Sequence, residues 1–174
     1  MLLIKRLIKR KILILGLLAI MCSANAQNKA YISNHKAIAT VLSKRYGIPV
    51  PVILAVATVE SSGGKGPAAK VLNNHFGIEG KNSFVNKQGH TSRYKEYANV
   101  FASYLDFCRL LTRKHFYSKL KDNENCIAWI KAMSRAHYSE VPEEWEKKVM
   151  SVLSVINKMQ GSKLQTSARL ASVR

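Results

Sequence analysis

Glu60 closes an apolar run, Pro51-Val52-Ile53-Leu54-Ala55-Val56-Ala57-Thr58-Val59-Glu60, and Ser61-Ser62-Gly63-Gly64 follows it. Pro51 suits the first turn of a helix and Gly63 and Gly64 stop one, so the spacing predicts a helix whose last turn carries the charge. There the negative end of the helix dipole opposes ionisation. At helical spacing Glu60 shares a face with Ile53, Val56 and Ala57, and partial desolvation raises a carboxyl pKa further. A carboxylic acid kept protonated near neutral pH is what general acid catalysis requires. The alternative is a solvated glutamate just past a core helix, with no chemistry to do.

Other blocks accompany this one in order: Gly47-Ile48-Pro49 before the run, then Asn73-Asn74-His75-Phe76-Gly77-Ile78-Glu79-Gly80, then Tyr94-Lys95-Glu96-Tyr97 with Ser103 and Asp106 behind it. Together they resemble glycoside hydrolase family 73, bacterial endo-β-N-acetylglucosaminidases of the autolysin and flagellar-muramidase kind that cut peptidoglycan. That family's blocks read approximately GIP, LAQxxLES, NNxFGIKG and FRKYxSxxxSxxD. The resemblance covers residues 31–157 and implies a mainly α, lysozyme-like domain with a small irregular β element beside the catalytic helix. It implies Glu60 as the general acid and peptidoglycan glycan strands as the partner, with a cell-envelope assembly as a further candidate partner and no cofactor.

Cleaving a glycosidic bond also needs a group that stabilises, attacks or traps the oxocarbenium-like carbon. The family carries a glutamate for this in its β element, yet residues 81–93 contain no Asp or Glu. Glu96, inside the tyrosine block, is the candidate second catalytic residue. Glu79 replaces the family's usual lysine and is another. The substrate's own N-acetyl group is a third route, and a wall binder that cuts weakly is a fourth. A muramidase or lytic transglycosylase is the alternative reaction. For substrate binding, Phe76, Gly77 and Ile78 form a turn beside Glu60, Phe76 offering either a sugar-stacking or a core face. Tyr94 and Tyr97 are candidates to line the groove, and because alternating residues of a strand point to opposite faces only one of them need face substrate. Tyr138 resembles a tyrosine of the family's YATDPxY block. Trp129 and Trp145 read as core.

The elements that must hold these residues are helical. Residues 31–46 place Ile38, Val41, Leu42 and Arg45 at helical spacing and end at Gly47. Periodicity vanishes from Gly63 to Tyr97, with a short hairpin expected around Asn86-Lys87-Gln88-Gly89. Helices then follow over residues 98–116, with Phe101, Leu105 and Cys108 on one face and Tyr104, Phe107 and Leu111 beside them, over residues 123–136 and over residues 143–159. Residues 161–174 are polar, basic and aperiodic and read as a flexible tail. Residues 1–26 read as a signal peptide: Lys5, Arg6, Lys9, Arg10 and Lys11, an apolar core from Ile12 to Met21, and Ala24-Asn25-Ala26 as the cleavage site. A spanning helix needs about 20 apolar residues, so no stable membrane anchor is expected after cleavage. Cys22 raises lipidation, against which Met21 is too large a neighbour. One domain over residues 27–160, periplasmic or secreted, is the expected organisation.

The chain of 174 residues has 28 Lys and Arg against 10 Asp and Glu, a net charge of +18, most of it outside the signal segment. No basic-aromatic motif of a nucleic-acid module is present, so nucleic acid is not the expected partner; attraction to a polyanionic wall accounts for the charge. His35, His75, His90, His115 and His137 are scattered and no cluster has metal-ligand spacing. Cys108 and Cys126 read as two small buried hydrophobes or as a disulfide.

Overall fold

The computed structural model describes residues 26–83 and 91–171, with residues 163–171 described by their backbone alone. The signal segment up to Asn25 and the turn at Asn86–Gly89 lie outside the described residues. In chain order the helices are α1 (residues 26–46), α2 (Val50–Glu60), α3 (Pro67–Leu72), α4 (Val100–Thr112), α5 (Tyr117–Leu120), α6 (Cys126–Arg135) and α7 (Pro142–Ala171).

α2 is the centre of the bundle. Every residue from Val52 to Thr58 is buried, as expected of a helix that is apolar all round. It packs mainly against α7, and α7 against α6. Each fully buried Val, Ile or Leu of α2 contributes roughly 1.5–3 kcal/mol of transfer free energy. Tyr31, Ile32, Ala39 and Leu42 of α1, Tyr104, Phe107 and Leu111 of α4, Trp129 and Ile130 of α6, and Val149 and Ile156 of α7 complete the core. α4 and α6 start where Asn99 and Asn125 each accept a backbone N–H three residues on, from Ala102 at 2.9 Å and Ala128 at 3.0 Å.

Three expectations need correction. The inward face of α1 is rotated from the expected one, since Val41 is 57% exposed while Tyr31 and Ala39 are buried; α1 turns its aromatic end toward a polar cluster that periodicity does not register. On α4, Phe101 faces solvent, and Tyr104 and Phe107 take the core positions. Residues 161–171 continue α7 as helix rather than forming an aperiodic tail, because Ala, Leu, Lys, Gln and Arg carry enough intrinsic helix propensity to extend a helix already nucleated by packing upstream.

The β element is a thin ribbon. Among the described residues it has one antiparallel bridge, Glu79 to Tyr94. Backbone bonds flank it: Gly80 N–H to Arg93 at 3.0 Å, Lys95 N–H to Ile78 at 2.8 Å and Glu96 N–H to Lys81 at 3.1 Å. Asn74 holds the ribbon to the bundle. Its amide donates to the carbonyls of Ile78 and Lys95, both at 2.8 Å, and its oxygen accepts from the backbone of Phe76 and Ile78. Asp106 of α4 fastens the other side, accepting from Lys95 Nζ at 2.7 Å and the Tyr97 hydroxyl at 2.8 Å. Burial pushes the Asp106 carboxyl up, but those two bonds and the Lys95 charge outweigh it and hold it below the usual carboxylate range.

Behind the ribbon, Tyr31, His75 and Tyr104 form a buried polar cluster. The Tyr31 hydroxyl lies 2.6 Å from His75 Nδ1 and 2.9 Å from the Tyr104 hydroxyl, and the His75 backbone donates to Ser103 Oγ at 3.0 Å. Burial, with His35 beside it, pushes the His75 imidazole down from 6.5 to about 4. Cys108 and Cys126 are both free thiols.

Two outcomes follow from this scaffold. Asn74→Ala strands buried backbone partners on both sides and lowers stability by about 2–4 kcal/mol in denaturant titration, whereas Asn99→Ala costs about 1 kcal/mol. His75 binds its proton more readily unfolded than folded, so the neutral imidazole's contribution is present above pH 6.5 and is lost as pH falls toward 4. Thermal melts at several pH values therefore show wild type losing more stability across that window than His75→Gln.

Candidate active site

Glu60 ends α2 where the backbone turns sharply. Ser62, Gly63 and Gly64 all have positive φ, at 52°, 61° and 79°. The carbonyls of the last turn are taken up by the N–H groups of Ser61, Ser62 and Gly63, so the helix end is satisfied without a charge and the carboxyl is left free to face outward. Trp145 of α7 donates its indole N–H to Glu60 Oε1 at 2.6 Å. Burial raises the Glu60 pKa above its ordinary 4.5; the Trp145 bond and the charge of Lys148 oppose the rise without cancelling it. One carboxyl oxygen is thus held by an indole, and the group keeps its proton to higher pH than a surface glutamate.

Two cavities meet at this carboxyl. One, of about 400 Å³, lies between the ribbon and the α6–α7 turn and is lined by Glu79, Arg93, Tyr138, Glu140, Trp145 and Lys148 among others. The second, of about 330 Å³, runs along α3 past Pro67, Ala68, Val71 and Leu72. Glu60, Gly77 and Tyr94 line both, so the two form the arms of one groove with Glu60 at the waist. Gly77 has φ +64°, and a Cβ there would stand 3.5 Å from Glu60 Oε2 and 3.9 Å from the Tyr94 ring. Glycine keeps the space beside the acid open and also supplies the turn.

The residues singled out in the sequence divide into two groups. Glu60, Gly77, Tyr94 and Tyr138 come together. The Tyr138 hydroxyl donates to the Phe76 carbonyl at 3.4 Å, and burial, reinforced by Glu60, pushes its phenol well above 10, so it remains a neutral donor beside the acid. The others lie elsewhere. Phe76 is buried and stacks on Phe107 with centroids 4.1 Å apart, so it is a core ring and offers no face to a sugar. Ile78 packs on the same core. Tyr97 is buried with its hydroxyl on Asp106. Glu96 is exposed and accepts from the backbone and hydroxyl of Ser83 at 2.8 and 2.6 Å, bonds that lower its pKa. It lines neither arm, so the second carboxylate expected at Glu96 is not brought to Glu60.

Glu79 and Glu140 are the carboxylates that do share the larger arm with Glu60. Glu79 pairs with Arg93 at 3.3 Å across the ribbon. Glu140 and Trp145 were not singled out as site residues: Glu140 sits in an α6–α7 turn without periodicity, and Trp145 falls among core neighbours. The available signal for Trp145 was chemical, since a buried indole N–H and a buried carboxyl each require a partner. Among the described residues no group of His, Cys, Asp and Glu could hold a metal ion, and no helix is long and apolar enough to cross a membrane.

The Glucosaminidase family model, described as mannosyl-glycoprotein endo-beta-N-acetylglucosaminidase, matches residues 36–158. No curated protein matches the chain. Among solved structures, the glycoside hydrolase domain of Salmonella typhimurium FlgJ is similar with a TM-score of 0.66 at 22% identity, covering 83% of this chain and 98% of that one. The catalytic domain of the autolysin Auto from Listeria monocytogenes gives 0.62 at 17% identity, covering 77% and 86%. A type VI secretion system effector-immunity complex from Pseudomonas protegens gives 0.55 at 17%, covering 75% and 94%. These likenesses show a shared mainly helical, lysozyme-like fold.

Because the Glu60 pKa is raised on folding, the group's stabilising contribution is complete below pH 4.5 and is lost as pH rises past its folded value. Glu60→Gln keeps an oxygen for the Trp145 indole and removes the buried charge. The variant should melt above wild type at pH 7 and close to it at pH 4, as read by thermal denaturation at the two pH values.

Proposed function

This chain belongs to the glucosaminidase family of glycoside hydrolases, and from that premise we propose that it cuts the β-1,4 bond after N-acetylglucosamine in peptidoglycan, with Glu60 as general acid. The observation that carries the reading is the Glu60 carboxyl itself: desolvated, bonded to Trp145, and at the waist of a groove open on both sides. A glycan strand laid along the two arms brings its glycosidic oxygen over Glu60, which gives up its proton as the bond to the leaving sugar breaks. Tyr138, neutral and beside the acid, supports the developing charge by hydrogen bonding.

For the second role the reading favours Glu79, on the ribbon that forms the wall of the same arm. It acts either as base, taking a proton from the water that attacks the anomeric carbon, or as nucleophile on that carbon with water releasing the glycosyl-enzyme afterwards, and Arg93 keeps its carboxylate oriented. A lytic transglycosylase is the competing reaction, favoured by the absence of Asp and Glu from residues 81–93, since that chemistry needs one carboxylate. The basic, then apolar, N-terminal segment supports action outside the cytoplasm, in the periplasm or beyond.

Mass spectrometry of products from purified peptidoglycan tests the assignment. Wild type should release reducing N-acetylglucosamine ends, Glu60→Gln should lower the rate about 10³-fold, and Glu79→Gln should lower it about 10²-fold. Glu96→Gln should stay within about twofold of wild type, as for a surface position away from the groove. Anhydro-muramic ends would assign the transglycosylase reaction instead, and an undiminished rate for Glu79→Gln would pass the second role to Glu140 or to the substrate's acetamido group.

A further inference from the structure

The two arms of the groove differ in chemistry more than an unmodified sugar strand requires. Along α3 the wall is Pro67, Ala68, Val71 and Leu72, with Val71 50% exposed, and among the described residues no Asp, Glu, Lys, Arg or His side chain lines that arm except Glu60 at its end. Such a surface suits the apolar faces of pyranose rings and the methyl of an acetamido group. The opposite arm carries Glu79, Arg93, Glu140 and Lys148. Arg93 and Glu79 are about two-thirds exposed, at 63% and 64%, and Glu140 and Lys148 are exposed as well, so these charges are hydrated in the free protein.

Covering hydrated charges with a neutral sugar removes water and returns little. A ligand that brings its own carboxylates and ammonium groups returns ion pairs for the water lost. In peptidoglycan such a ligand is attached to alternate sugars: muramic acid bears a peptide stem with free carboxylates and, in many walls, an amine. Both signs of charge line the arm, matching a zwitterionic stem better than a simple polyanion.

We propose that the arm containing Arg93, Glu140 and Lys148 is a subsite for the peptide stem. Arg93 and Lys148 receive stem carboxylates and Glu140 a stem ammonium group. The assignment rests on the glycan-cleaving reading of Glu60 and adds a direction to it. With the bond after N-acetylglucosamine over Glu60, the stem-bearing muramic acid is the leaving sugar and occupies the charged arm. The N-acetylglucosamine then lies on the α3 side. The strand enters in one orientation, and the enzyme prefers strands that still carry stems over strands from which an amidase has removed them.

Binding separates this from the reading beneath it. In the Glu60→Gln protein, which leaves strands intact, titration calorimetry compares stem-bearing glycan strands with the same strands stripped by an amidase. The stem-bearing strands should bind about tenfold tighter, the worth of two exposed ion pairs. Adding Arg93→Gln and Lys148→Gln together should bring the ratio of the two dissociation constants to about one, while Val71→Asp should weaken both ligands alike and leave the ratio standing. Because all three side chains are exposed, far-UV circular dichroism should report an unchanged fold. Equal affinities in the parent protein, a ratio untouched by the double substitution, or no binding of stem-bearing strands would each overturn the stem subsite. Failure of the glucosaminidase reading shows separately, as wild type leaving no reducing N-acetylglucosamine ends on stem-bearing strands, and does not alter the binding ratio.

Discussion

Everything in this molecule is arranged around the need to cover α2 on every side. A helix with no polar face has no preferred way to lie on a surface, so it must be enclosed, and α1, α4, α6 and α7 supply the enclosure. Enclosure fixes where the helix stops. At its end the chain leaves the core, the backbone turns through left-handed residues, and the first ionisable side chain after the run meets the boundary between protein and solvent. The acid is half-buried because it is the last residue of an element whose middle, Val52 to Thr58, is fully buried. Its perturbed proton affinity is therefore a by-product of packing before it is a property of the site.

The polar residues around α2 do a complementary job. Asn74 and Asp106 fasten a ribbon that has one bridge among the described residues, and the Tyr31, His75 and Tyr104 cluster ties α1 and α4 behind the turn that carries Gly77. These groups bring the ribbon wall to the acid without touching the groove. The asparagine-rich block and the serine and aspartate behind the tyrosine block are conspicuous in the sequence for this reason. They satisfy the backbone of an irregular segment that secondary structure leaves unpaired.

Legibility in the sequence followed periodicity. α2, its stop and Glu60 were readable because an apolar run, a proline and two glycines each have one local meaning. Family resemblance extended that reading to the fold, and the family match agrees with it. What local pattern could not express was rotation and pairing. Val41 and Phe101 sit at apolar spacing yet face solvent, while Tyr31 and Tyr104 of the same two helices are buried with their hydroxyls bonded to each other. Trp145 looked like core and is core by burial, but its indole nitrogen reaches across 85 positions of sequence to Glu60. Glu96 looked close to the site because it lies in the tyrosine block, but it lines neither arm and its carboxylate is held by the backbone and hydroxyl of Ser83.

The groove has one wall of each mechanical kind. Glu60 stands on the most enclosed helix of the bundle, while Glu79 and Tyr94 stand on a strip that, among the described residues, is joined by one bridge and pinned at its edges by side chains. Regions with few buried contacts and few backbone bonds open at lower free-energy cost than the core. Glu60 consequently serves as a fixed datum, and any widening of the groove falls to the strip opposite. Displacement of that side alone changes the width of the groove and leaves the Glu60 carboxyl where the bundle holds it.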